Sequence, residues 1–194
     1  FMYRGASLGQ HGEVWLNAWQ YAIQKNTDSE ISIKCWNRPL RVPLLIEKIL
    51  TIKKGEPTLF IEEVLTNESA VDFSYMWGHH IAFGLPFLQN GSLITTNAQH
   101  FEAEPLMPDK RRFSAGKQFS WPLGLDLEGN LSDASQVPPA NDFPYSELLY
   151  LSGFQKNAYY IISDAEKKVS FRLDWNEDDF PYIWFWQERY GIQD

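Results

Sequence analysis

Short runs rich in β-branched and aromatic residues recur along this chain, most of them closed by glycine, proline, asparagine or aspartate. That rhythm constrains the fold more than any other feature. Residues 30–36 read EISIKCW, a period of two. Similar runs occupy 13–23, 43–53, 58–66, 71–83, 92–96, 148–152, 159–163, 169–175 and 182–186. Lys54-Gly55-Glu56-Pro57 joins two of them as a turn, and Asp164-Ala165-Glu166-Lys167 joins two more as a hairpin. No stretch carries a convincing helical period. The spacing predicts an all-β chain built as a β-sandwich or barrel. Residues 105–141 break the rhythm: they are rich in proline, glycine, serine and aspartate, and read as a long excursion over the surface. No linker or repeat interrupts the chain, so the reading is one domain over 1–194.

Charge excludes some partners. Lys and Arg number 17 against 25 Asp and Glu, a net charge of −8, which repels phosphate backbones and makes nucleic acid an unsuitable partner. Lys110-Arg111-Arg112, with Lys117 nearby, is the one dense basic run and reads as a solvated loop. No run reaches the ~18 apolar residues of a membrane-spanning helix, and no signal peptide is visible. A single cysteine, Cys35, allows neither an intramolecular disulfide nor a cysteine-based zinc site. It suits a reducing compartment, so the expected location is cytoplasmic.

Candidate chemistry rests on four histidines. His11 lies in Gly9-Gln10-His11-Gly12, and His79 and His80 lie in a segment bounded by Gly78 and Gly84. Glycines at such positions let a backbone and a ligand approach closely. If residues 71–83 form a strand, His79 and His80 point to opposite faces and only one can enter a given cleft. Each imidazole can be a satisfied, half-buried hydrogen-bonding group, a metal ligand or a general acid. No HExxH or His-x-His spacing supports a metal, so none is expected. No nucleophile elbow and no phosphate-binding glycine loop is present. Glu62 and Glu63 diverge on a strand and form no dyad, and Asp178-Asp179 reads as turn chemistry. Aromatic residues make up 15% of the chain, a share that serves either a β-rich core or the stacking of sugar C–H faces on rings.

The block LFIEEVLTNESAVDFSYMWGHHIAFGLPFL, residues 59–88, resembles the centre of aldose 1-epimerase (galactose-mutarotase-like) proteins. There a strand ending in Thr-Asn is followed by one carrying a histidine in a His-x-aromatic context, matched here by His80-Ile81-Ala82-Phe83. GQHGEVW resembles the family's upstream His-Gly motif, with Trp15 or Trp19 as its aromatic residue. DDFPYIWFWQERYG resembles the strand and turn that approach the family's catalytic glutamate.

This resemblance implies a large antiparallel β-sandwich with a sugar cleft on one sheet, and interconversion of aldose anomers without metal or organic cofactor. A carboxylate takes the proton of the anomeric hydroxyl while a histidine protonates the ring oxygen. His80 matches the acid. His11, Trp77, Trp186 and Glu188 are the expected sugar-binding residues. In the family the base follows the WQE-like stretch in a Glu-Pro segment, and none follows that stretch here before Asp194, which implies an internal portion of a longer protein, incomplete at both ends. Uncovered sheet edges would then be met by further strands or by another copy in a homo-oligomer. The alternative is a non-catalytic sugar-binding or sugar-sensing module on the same fold. A sugar-phosphate enzyme on this fold fits the acidic charge poorly.

Overall fold

In the computed structural model the period-two runs fold as antiparallel strands, and no helix occurs among the described residues, which are 2–3, 6–7, 9, 11–84, 87–88, 91–106, 111–137, 145–164, 166 and 169–189. Gln10, Lys110, residues 138–141, Ala165 and Lys167, all named in the sequence reading, lie outside that set. The chain is all-β, as its rhythm requires, and the described residues form no barrel. It divides into two compact units, residues 1–76 and 77–194.

The N-terminal unit opens with a short ladder of β1 (Met2–Tyr3) and β2 (Ala6–Ser7). Its body is a four-stranded meander of β3 (Gln20–Asn26), β4 (Glu30–Asn37), β5 (Leu44–Lys53) and β6 (Leu59–Asn67), in that spatial order. Register sorts the two faces. Ile23 pairs with Ile33, Ile33 with Leu50, Leu50 with Ile61, and Ile31 with Ile52, which faces Leu59. These aliphatic residues therefore share one face. Gln20, Trp36, Glu47 and Val64 share the other. Between Ile23 and Lys25 the register of β3 shifts, which leaves one extra residue on that edge. Glu63 salt-bridges Lys48 across the sheet at 2.8 Å, while Glu62 faces the opposite side, so these two acids do diverge.

Loops of this unit are tied by carboxylates. Glu13 accepts the backbone N–H groups of Leu40 and Arg41 at 2.7 and 3.0 Å. Arg38 forms a two-pronged pair with Glu68, both N···O distances being 2.8 Å. The pairing raises the Arg38 pKa and lowers that of Glu68, chiefly through the shared hydrogen bonds.

The C-terminal unit holds two larger sheets and a hairpin. Its strands are β7 (Leu93–Thr96), β8 (His100–Ala103), β9 (Gln118–Ser120), β10 (Leu123–Leu125), β11 (Leu131–Asp133), β12 (Tyr145–Ser152), β13 (Ala158–Asp164), β14 (Val169–Trp175) and β15 (Ile183–Arg189). One sheet runs β15-β12-β8-β9, the other β14-β13-β7, and β10 pairs with β11. Phe101, Leu149 and Leu151 point inward from the first sheet and are fully or almost fully buried. Ile94 and Ile162 point inward from the second. Trp121 and Phe185 pack against both clusters and so join the two sheets through one core. Each such ring or aliphatic chain taken from water stabilises the unit by roughly 1.5–3 kcal/mol.

Two expectations need correction. Residues 105–141 are not a surface excursion throughout: within them lie β9, β10 and β11, and Phe113 and Ala134 are both 0% exposed. The basic run is not simply solvated either. Arg112 is inserted against Glu147, and Arg111 donates to the carbonyl oxygens of Glu104 and Pro105 at 3.0 and 3.3 Å. The second correction concerns 71–83, which forms no strand. Val71, Phe73, Tyr75 and Trp77 do alternate with Asp72 and Ser74, but the segment finds no ladder partner; the Val71 carbonyl accepts from Asn67 and Ser69, and His79 and Phe83 make ring contacts. By contrast Asp178 and Asp179 do sit in a turn. The side-chain oxygen of Asn176 accepts the Asp178 N–H at 3.3 Å, and its backbone carbonyl accepts the Asp179 N–H at 3.2 Å.

Candidate functional site

His80 stands exposed on the strand-free segment that leads into the C-terminal unit, beside exposed His79 and half-buried Trp77. Phe83 pins the segment to the second sheet. Its ring meets Phe171 at 4.9 Å and Tyr160 at 6.3 Å between centroids, both in edge-on geometry. His79 packs edge-on against Phe180 at 5.8 Å. Phe180 closes the turn before β15, so the His79-His80 pair lies beside the approach to that strand.

Trp186 and Glu188 project from β15 on one face. Cross-strand partners on β12 extend it: Trp184 opposes Tyr150, Trp186 opposes Leu148, and Glu188 opposes Ser146. Tyr150 in turn opposes Glu102 on β8. Neighbouring residues Ile183, Phe185, Leu149 and Leu151 fill the core, so this set must point away from it. Trp184 is 61% exposed and Trp186 47%. The result is an outward strip of rings bordered by carboxylates. Trp186 and Glu188 are thus brought together. His11 belongs to the N-terminal unit, where it is exposed and adopts a left-handed φ of 60°, followed by Gly12 at 67°. A left-handed histidine is uncommon and marks a tight, specified turn.

Sequence reading passed over three members of the strip. Trp184 was legible, since Trp184-Phe185-Trp186 is a period-two signal with Phe185 inward. Tyr150 and Glu104 were not. The Tyr150 hydroxyl donates a short hydrogen bond to Glu104 Oε2, and the Leu106 N–H donates to Oε1 at 2.9 Å. Tyr150 packs edge-on against Trp184 at 5.5 Å. Lost hydration first, then the Glu104 hydrogen bond and the charges of Glu104 and Glu102, push the phenol up to about 12. It therefore remains a hydrogen-bond donor at neutral pH.

An open cleft of about 580 Å³ at Lys156, Asn157, Trp175 and Asp178 holds none of the four histidines and none of Trp77, Trp186 and Glu188. Among the described residues no group of three or more His, Cys, Asp or Glu is placed to hold a metal ion. No helix among them is long and apolar enough to cross a membrane. Chemically, the C-terminal unit offers an exposed imidazole, rings that can stack on a C–H face, and acceptors for hydroxyl groups. No protein-family model, curated protein or solved structure matches this chain.

Proposed function

We propose that this protein binds aldoses and interconverts their anomers in the manner of an aldose 1-epimerase, with His80 as the proton donor. The observation that carries the reading is the exposed His80 segment, flanked by Gly78 and Gly84 and lying beside the approach to a strand that presents Trp184, Trp186 and Glu188 outward. An aldose stacks its C–H face on the indoles while its hydroxyls reach the neighbouring carboxylates. His80 gives its proton to the ring oxygen as the bond from that oxygen to the anomeric carbon breaks. A carboxylate takes the proton of the anomeric hydroxyl, and the open aldehyde forms. Reversal after rotation about the adjacent carbon–carbon bond gives the other anomer, with His80 taking its proton back. Each positioned proton transfer contributes about 10²–10⁴-fold. Trp77, Trp186 and Glu188 are the sugar contacts of this reading in the C-terminal unit. No cofactor enters the chemistry, and unpaired Cys35 fits a cytoplasmic setting.

The test is polarimetric equilibration of freshly dissolved α-glucose and α-galactose. The protein should accelerate it, and His80→Ala should remove the acceleration while leaving the circular dichroism unchanged. A second reading, a sugar-binding module without catalysis, is favoured by the exposure of Trp184 and Trp186, which suffices for stacking. It predicts sugar-dependent tryptophan fluorescence with no effect on the equilibration rate.

A further inference from the structure

The sugar reading leaves open which group fixes the orientation of a ring stacked on the strip. We infer that Glu104, held by Tyr150, is the acceptor that hydrogen-bonds the hydroxyls of an uncharged sugar lying on Trp184 and Trp186. This rests on the sugar-binding reading and adds a residue to it.

Three observations converge on Glu104. It is half-buried, whereas its neighbour Glu102 is exposed. A tethered, partly desolvated carboxylate makes a stronger and more directional acceptor than a free surface one. Both its oxygens are already fixed, Oε1 by the Leu106 N–H and Oε2 by the Tyr150 hydroxyl, yet each oxygen keeps a second lone pair for an incoming hydroxyl. Tyr150 also touches Trp184, so ring and carboxylate are positioned by one side chain. In the register Glu102 lies level with Tyr150 and Trp184, and Glu104 one pair further on, its N–H donating to the Leu148 carbonyl opposite Trp186, so Glu104 stands between the two indoles and Glu188.

The same geometry sets its role. Two donors already hold the Glu104 carboxyl in one place, beside the rings and off the His80 segment. It serves as a binding and orienting group rather than the group that abstracts the anomeric proton. Its neighbours select the ligand class. An uncharged sugar supplies hydroxyl donors to Glu104 and Glu102 and C–H faces to Trp184 and Trp186. A sugar phosphate would bring its charge against those acids.

Binding of D-galactose and D-glucose, followed by tryptophan fluorescence and calorimetry, tests this. Glu104→Gln should weaken binding about tenfold or more, as expected for losing a charged acceptor. Tyr150→Phe should weaken it several-fold by releasing the carboxylate, and Glu102→Gln should change it less than Glu104→Gln. If wild type binds either sugar and Glu104→Gln binds within twofold of it, the inference is overturned and the sugar reading stands. Should Glu104→Gln fail to fold, Tyr150→Phe decides: unchanged binding overturns the inference. A wild type that binds neither sugar overturns both. An oligolysine peptide bound in its place would assign the strip to a basic partner.

Discussion

Arg112 closes on Glu147 from two directions. Its Nε and Nη2 lie 3.2 and 3.1 Å from Oε2, and its own backbone N–H donates to Oε1 at 3.0 Å. The Phe113 N–H completes the set at 3.2 Å, and Glu147 is only 1% exposed. Through one carboxylate on β12, the middle of the 105–141 segment is fastened to the main sheet.

Glu147→Ala should therefore cost about 3–5 kcal/mol, because it strips a largely buried guanidinium and two backbone N–H groups of their acceptor. The double change Arg112→Met with Glu147→Leu should cost clearly less than Glu147→Ala alone, since no charge is then left buried. Urea unfolding of the three proteins measures both, and equal losses would deny the pair its role.

Gly124 has no room for a side chain. A Cβ there would stand 2.6 Å from Cζ of Phe101 and 3.0 Å from Cδ1 of Phe113. Both rings are fully buried and meet edge-on at 5.0 Å, so neither swings aside freely. Gly124→Ala should destabilise by about 1–3 kcal/mol, the range for overpacking. Thermal unfolding reads the effect, and an unchanged midpoint would show that the rings yield.

Tyrosine ionisation gives a pH signature. Tyr150 and Tyr160 are both pushed up to about 12, Tyr160 by burial and Tyr150 by burial followed by its contact with Glu104. The unfolded chain releases these protons near 10, whereas the folded chain retains them. Their contribution to stability is accordingly full below pH 10 and is lost as the pH rises through 12. Alkaline titration of tyrosinate absorbance should show two late tyrosines, and Tyr150→Phe should remove one. Urea stability should fall across the same window.

Phe83 supplies a dynamic test. Its ring fixes the His80 segment to Phe171 and Tyr160. Phe83→Ala should raise amide exchange in residues 77–84 while β12, whose inward side is core, stays protected. The equilibration rate of the proposed reaction should fall with it. Faster exchange in β12 as well would mean that Phe83 supports the whole unit.

What could be read beforehand follows from how far each determinant lies along the chain. Strands β4, β5, β6, β13, β14 and β15 advertise themselves within a few residues, because alternation is local. Burial of Phe113 is not local. It depends on Glu147, far along the chain, and on a glycine that leaves space for the ring. The run 71–83 misled for the opposite reason: its aromatic content suggests a strand, but its rings are single anchors. At the site, the shared face of Trp186 and Glu188 follows from a period of two. The Glu104–Tyr150 pair depends on the register of β8 against β12, which no local pattern displays.

The register shift in β3 bears on how the protein behaves in quantity. All seven residues of this strand are exposed, and its outer side is the open edge of the four-stranded sheet. A straight ribbon there would be a template onto which another chain could zip. Gln24, the surplus residue, breaks the ladder between Ile23 and Lys25, so an incoming strand matches only a few residues before the pattern fails. Excising Gln24 would restore an uninterrupted hydrogen-bonding border, and the edge would become a seed for fibres.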